Sequence, residues 1–194
     1  MLLDRIEPPW DMVKAKTGSF YLTETITIDA AAASGTRVQG EIDLGAYVNV
    51  PTGQAIAVTE VDWIWQRGSD FDQSPDGFLA GNGALSAQLS DLNPGTLFVR
   101  ADDQSLISSA ALAIDQSNNI GTHTTDLYPD SFGPASLRDA FLVVNDTMYV
   151  VAGNDNAAIG GSAMFATCRV KCQVVKLDTK SWMAIAIQAT ASDS

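Results

Sequence analysis

The segment AMFATCRVKCQVVKL, residues 163–177, decides the fold class, because apolar and polar side chains alternate along nearly its whole length. One face carries Met164, Ala166, Cys168, Val170, Cys172 and Val174, and the other carries Thr167, Arg169, Lys171 and Gln173. A period of two is typical of a strand that buries one face and exposes the other. The segment therefore predicts a long strand in an antiparallel sheet with one face against a core.

The same alternation recurs in FYLTETITID (20–29), VQGEIDLGAYVNV (38–50) and QAIAVTEVDWIWQR (54–67). In the third of these, the apolar series moves from Ile56 and Val58 to Val61 and the two tryptophans after it. A change of phase within one strand predicts a β-bulge or a sharp bend.

The remaining elements are predicted from shorter patterns. Strands are expected at 96–101 and 106–115, and AFLVV-ND-TMYVV (140–151) predicts a hairpin with a tight turn. The leucines of ALSAQLSDLNPG (84–95) have helical spacing, whereas SWMAIAIQAT (181–190) fits either a strand or a helix. Loops are expected at 68–83, 117–134 and 153–161, which are rich in turn-forming residues.

Together these patterns predict an all-β protein, an antiparallel β-sandwich with little helix and a jelly roll of about eight strands. Residues 19–194 are expected to form this single domain. The first 18 residues lack alternation and contain Pro8-Pro9, so they predict an extended N-terminal arm.

Composition favours a protein that associates with partners. Among 194 residues, 46% are hydrophobic and only 18% are charged, so part of the apolar surface is expected to be covered by other chains. The net charge of −12 repels phosphate and argues against direct nucleic-acid binding. The short apolar start, Met1 to Leu3, is no signal peptide, and no transmembrane segment is predicted, so synthesis is expected in the cytosol.

No catalytic residue or cofactor is predicted, and the chain is not expected to be an enzyme. The only histidine, His123, could be grouped with Ser131 and Asp126, but no nucleophile motif accompanies them. Cys168 and Cys172 lie about 13 Å apart along a strand, too far for a disulfide, and are expected to be free and buried.

An acidic loop is the stronger of two metal candidates. Asp70, Asp72 and Asp76 place three carboxylates within seven residues, which could hold calcium, although the spacing lacks the pattern of an EF-hand. A solvated loop is the favoured interpretation. The run GNDN (153–156) is a weaker candidate of the same kind.

Three tryptophans suggest different uses. Trp63 and Trp65 share one face of a strand, where packing between sheets is a commoner use than a sugar-stacking platform. Trp10 lies in the predicted arm, and we expect it to contact a neighbouring subunit, with an intramolecular contact as the alternative.

The strand series resembles that of single jelly-roll capsid proteins of small icosahedral viruses, in particular archaeal and environmental DNA viruses. The residues that carry the resemblance are EIDLGAYVNV (41–50) with QAIAVTEVDWIWQ (54–66), FLVVNDTMYVV (141–151) and 163–177. It implies a self-assembling viral capsid protein located in the virion, with copies of itself and a second capsid or spike protein as partners. The alternative is a carbohydrate- or receptor-binding sandwich, as in a spike or fibre domain.

Overall fold

The computed structural model describes residues 13–68, 77–125 and 140–190. These contain ten strands, a 3-10 turn at Val50–Thr52 and one helix, α1, at Thr179–Thr190. The strands are β1 Lys14–Ala15, β2 Phe20–Ile28, β3 Arg37–Asp43, β4 Gln54–Arg67, β5 Gly83–Ser90, β6 Leu106–Asp115, β7 Ile120–Thr125, β8 Phe141–Val143, β9 Thr147–Asp155 and β10 Met164–Lys176.

The strands form two antiparallel sheets. In the first sheet, β1 and β2 pair with one edge of β10, β4 pairs with the other edge, and β8 follows β4. The second sheet has the order β3-β9-β5-β6-β7. The pairs β5–β6, β4–β8, β3–β9 and β2–β10 are nested in the sequence, as in one long hairpin folded over on itself. The predicted all-β antiparallel sandwich with little helix is confirmed.

The core lies between the sheets and is filled by the apolar series that the alternation predicts. Ile26 and Ile28 of β2 are buried in the same cluster as Val150 of β9, while Thr25 and Thr27 face solvent. On β10, Cys168 and Cys172 are free and buried, as predicted. Burial raises the pKa of Cys172 to about 12, so this thiol behaves as a small apolar side chain.

The predicted bulge in β4 is confirmed. Val61 lies opposite Val170 and Val58 lies opposite Cys172. Three steps along β4 therefore span two steps along β10, and Thr59 is the extra residue of the bulge. The hydroxyl of Thr59 at this point donates to the carbonyl oxygen of Lys171 at 3.1 Å. The bulge lets β4 bury one face on both sides of the irregularity.

Two predicted elements are wrong. The leucine-rich segment expected to be helical is β5, because Leu85, Ala87 and Leu89 also alternate, and the sheet buries all three. Residues 96–101 form no strand; instead Gln88 reaches Val99 with its side chain, whose Nε2 donates to the carbonyl and whose Oε1 accepts from the N–H.

The predicted hairpin at 140–151 is also wrong. β8 pairs with β4 in the first sheet, whereas β9 pairs with β3 and β5 in the second, so the turn at Asn145-Asp146 crosses between sheets. Val143 and Val144 are both buried, which breaks the alternation just before the turn. Burial of consecutive residues marks a chain leaving one sheet for the other.

Two of the expected loops contain strands. β7 lies within the segment expected to be a loop at 117–134, and β9 continues through Gly153 to Asp155. In the N-terminal region, Lys14 and Ala15 pair with the end of β10, while residues 1–12 of the predicted arm lie outside the described residues. The arm of 1–18 therefore stays a prediction.

Candidate functional site

The surface around α1 is the strongest candidate for a functional site. The helix begins after Asp178, whose Oδ1 accepts from the backbone N–H of Ser181 at 2.7 Å and whose carbonyl accepts from that of Trp182 at 3.0 Å. Hydrogen bonding from Ser181 lowers the pKa of Asp178. An ionised aspartate in this position stabilises the first turn of a helix.

One face of α1 covers a second, smaller apolar core on the outside of the first sheet. Its buried members are Ala55, Ala57, Val144, Val175 and Leu177. Trp182, Ile185 and Ala186 of the helix pack on it with helical spacing, together with Val13 next to β1. The second core forms because β4 near its first residues and β10 near its last residues bury side chains on both faces.

The opposite face of α1 is apolar as well. Met183 is 54% exposed and Ile187 is 64% exposed, and these residues lie one turn apart. Ala184 beside them is exposed, and Lys180 is the charged residue of the helix. Since α1 carries large apolar side chains on two faces and only one of them packs on the second core, the other face is suited to contact with another molecule.

A groove of about 670 Å³ runs beside the helix, between its first turn, the end of β10 and the 3-10 turn. Val50, Leu177, Trp182 and Met183 provide its apolar lining, and Lys176 contributes a positive charge. Val50 is 58% exposed. The buried indole Nε1 of Trp182 has no hydrogen-bond acceptor among the described residues.

A buried carboxyl group at one end of the sandwich is a second notable feature. Asp91 is 3% exposed; its N–H donates to the carbonyl of Ser105 at 3.0 Å, and its carbonyl accepts from Asn145 at 2.8 Å. Its Oδ1 has no donor among the described residues. Burial, with a smaller contribution from the charge of Asp103, raises the pKa of Asp91 to about 7.

The structure describes only one of the two predicted metal candidates. Asp70, Asp72 and Asp76 lie outside the described residues. In the run 153–156, Asn154 is buried and donates to the carbonyls of Ala33 and Ala157, while Asp155 accepts from Arg37 at 2.6 Å. These groups hold the end of β9 to its neighbours. Within the described ranges, no three His, Cys, Asp or Glu side chains are grouped as a metal site requires.

The remaining candidate residues from the sequence are His123, with Ser131 and Asp126, and Trp10. His123 is exposed on the edge strand β7, opposite Leu112, while Ser131 and Asp126 lie outside the described residues, as does Trp10.

The two tryptophans of β4 belong to the sandwich interior. Trp63 is buried and donates to the Ser108 hydroxyl of the other sheet at 3.1 Å, and Trp65 packs against the same core. They serve packing rather than a sugar platform.

The sequence analysis does not predict the surface of α1, because the pattern of residues 181–190 fits a strand as well as a helix. The signal was present in the helical spacing of Trp182, Ile185 and Ala186. The groove and the burial of Asp91 had no comparable signal, since each is formed by segments distant in sequence.

Within the described part of the chain, no helix combines the length and apolar character needed to cross a membrane. No protein-family model matches the chain, and no curated protein matches it as a relative.

Proposed function

We propose that this chain is a structural subunit that assembles with copies of itself, as the capsid protein of a virus does, and that its location is the virion. The observation that carries the proposal is the exposed apolar face of α1, where Met183 is 54% exposed and Ile187 is 64% exposed. A second copy is the proposed occupant. The proposal includes no enzymatic activity and no cofactor.

The topology supports this proposal at the level of the fold. The two sheets contain the orders β2-β10-β4-β8 and β3-β9-β5-β6, with β7 added at one edge, and are built from nested antiparallel pairs, an arrangement expected of a jelly roll. We propose that the sandwich is of this type. Capsid proteins with a single jelly roll use such a sandwich as the building block of a shell, which is the resemblance drawn above from the strand series.

The charge of the chain determines how assembly should respond to salt. Copies that each carry a net charge of −12 repel one another at low ionic strength. At physiological salt the repulsion is largely screened at distances beyond about 8 Å. The apolar contact through α1 is not screened. Self-association is therefore expected to strengthen as salt increases, the opposite of what charge-driven binding to nucleic acid would show.

Light scattering coupled to size-exclusion chromatography, with electron microscopy of the largest species, tests the proposal. Wild-type protein is expected to form particles of many copies at high salt. Ile187→Lys places a charge in the proposed contact and is expected to raise the concentration needed for assembly at least tenfold.

The matched control is Leu97→Lys, because Leu97 is 71% exposed in the loop between β5 and β6, away from the helix. It should assemble like wild type. A wild-type chain that stays monomeric across protein concentration and salt, or equal effects of the two substitutions, would refute the proposal.

A further inference from the structure

The groove beside α1 lies directly in the path of the N-terminal segment. β1 is antiparallel to β10, with Ala15 opposite Val175 and Lys14 opposite Lys176. Each step upstream from Lys14 therefore moves toward Leu177 and the start of α1, which line the groove. A segment that continued upstream of Val13 in the direction of β1 would reach its rim.

The chain is firmly attached where it approaches the groove. The N–H of Lys16 donates to the carbonyl of Val174 at 2.8 Å, and the hydroxyl of Thr17 accepts from the N–H of Val174 at 3.0 Å. Val13 packs on the second core beside Leu177. These contacts fix the position of Val13 and the direction of the chain from Val13 to Thr17.

The sequence of residues 7–12, EPPWDM, matches the groove chemically. Pro8 and Pro9 favour an extended chain, and in an extended chain Trp10 would be about 10 Å upstream of Val13, within reach of the groove. The indole of Trp10 and the thioether of Met12 suit the apolar lining of the groove. An extended chain also presents unpaired backbone carbonyls, the kind of acceptor that the Trp182 indole lacks.

The charges agree with this arrangement. The segment carries Glu7 and Asp11, and the groove is bordered by Lys176 and, one residue into the helix, Lys180. The acidic member of the lining, Asp178, already accepts the N–H of Ser181. Lys176 and Lys180 outnumber the ionised Asp178, so the net charge beside the groove is positive and complementary to the segment.

We propose that the groove is the binding site for residues 7–12 of the same chain, with Trp10 against Trp182 and the other apolar lining residues. The bound segment covers Val50 and leaves Ile187 on the outer face of the helix. This inference does not depend on the proposed function, because it concerns one copy of the chain.

A disulfide trap tests the proposal. Asp11→Cys combined with Thr179→Cys places thiols on the segment and on the groove lining, while Cys168 and Cys172 stay buried and do not compete. Oxidation is expected to form an intramolecular disulfide at least ten times faster than in the control pair Asp11→Cys with Leu97→Cys. Adding Val50→Lys, an exposed change in the groove, should slow the reaction toward the control rate.

Mixing ¹⁴N- and ¹⁵N-labelled chains before oxidation identifies the source of the segment. Disulfide-linked peptides without isotope mixing support the proposal, whether or not the chains have assembled. Peptides that mix the two isotopes would show that a second copy supplies the segment and would overturn it. Equal rates for the test and control pairs would also overturn it, and neither result would bear on particle formation, which light scattering measures separately.

Discussion

Replacing Asp91 with asparagine is expected to change how the stability of the protein depends on pH. The carboxyl group of Asp91 is 3% exposed, and one of its oxygens has no donor among the described residues. Burial raises its pKa from 3.8 to about 7. The folded protein therefore holds a proton on Asp91 across a pH range in which the unfolded chain has lost it.

The sign follows from this difference in bound protons. Between about pH 4 and pH 7 the folded state binds the extra proton, so the contribution of Asp91 to the free energy of unfolding falls as pH rises and then levels off. A tenfold change in proton affinity corresponds to about 1.4 kcal/mol, so the full loss is at most about 4 kcal/mol. Asp91→Asn removes the ionisable group and with it this loss.

Urea unfolding of wild type and Asp91→Asn, measured from pH 5.5 to pH 8.5, checks the prediction. The lower limit stays above the isoelectric point of about 4.2. The stability of the variant relative to wild type is expected to rise by about 2 kcal/mol over this range, because only about 1.5 pH units of it lie below the pKa of Asp91. Asp29→Asn, the same change at an exposed site, should run parallel to wild type.

A constant difference between wild type and Asp91→Asn across the pH range would refute the reasoning. So would a wild-type protein that is the more stable of the two at pH 8.5, because that result would mean that the ionised carboxylate has a stabilising partner.

Two further pairs of substitutions test the packing. Trp63→Phe removes the hydrogen bond to Ser108 that joins the sheets and should lower the free energy of unfolding by about 2–3 kcal/mol. The indole of Trp65 has no acceptor among the described residues, so Trp65→Phe should lower it by only about 1 kcal/mol. Equal losses in urea unfolding would contradict this. Gly53 has a φ of 67° and closely approaches a carbonyl of the β10–α1 connection, so Gly53→Ala should lower the melting temperature more than Gly95→Ala, where φ is 65° but the space is open. Calorimetry that ranks the two glycine variants in the reverse order would show that this close approach is unimportant.

The sequence could predict much of the strand content because burial of one face imposes a local pattern. β2 and β10 each alternate over their length, and the phase change in β4 identified the bulge without knowledge of the partner strand. The free cysteines followed from the same argument. These features depend on neighbours within one strand, and the sequence contains those neighbours.

Failures occurred where local patterns were compatible with two structures. The leucines of β5 fit helical and strand spacing equally, and only the partners β6 and β9 decide for the strand. The turn at Asn145-Asp146 has the chemistry of a hairpin, yet its flanking strands belong to different sheets, since β8 pairs with β4 and β9 pairs with β3.

By itself, the sequence determined the β class, the bulge in β4 and the absence of a disulfide, since each depends on side-chain spacing along a short piece of chain. Only the tertiary structure decided which strands pair, that α1 is a helix with apolar surface on both sides, and that Asp91 is buried. These properties arise where segments far apart in sequence meet: the groove joins Val50 to Trp182, and the burial of Asp91 depends on Ser105 and Asn145. Long-range contact sets both the burial energy and the proton affinity, and no local pattern encodes it.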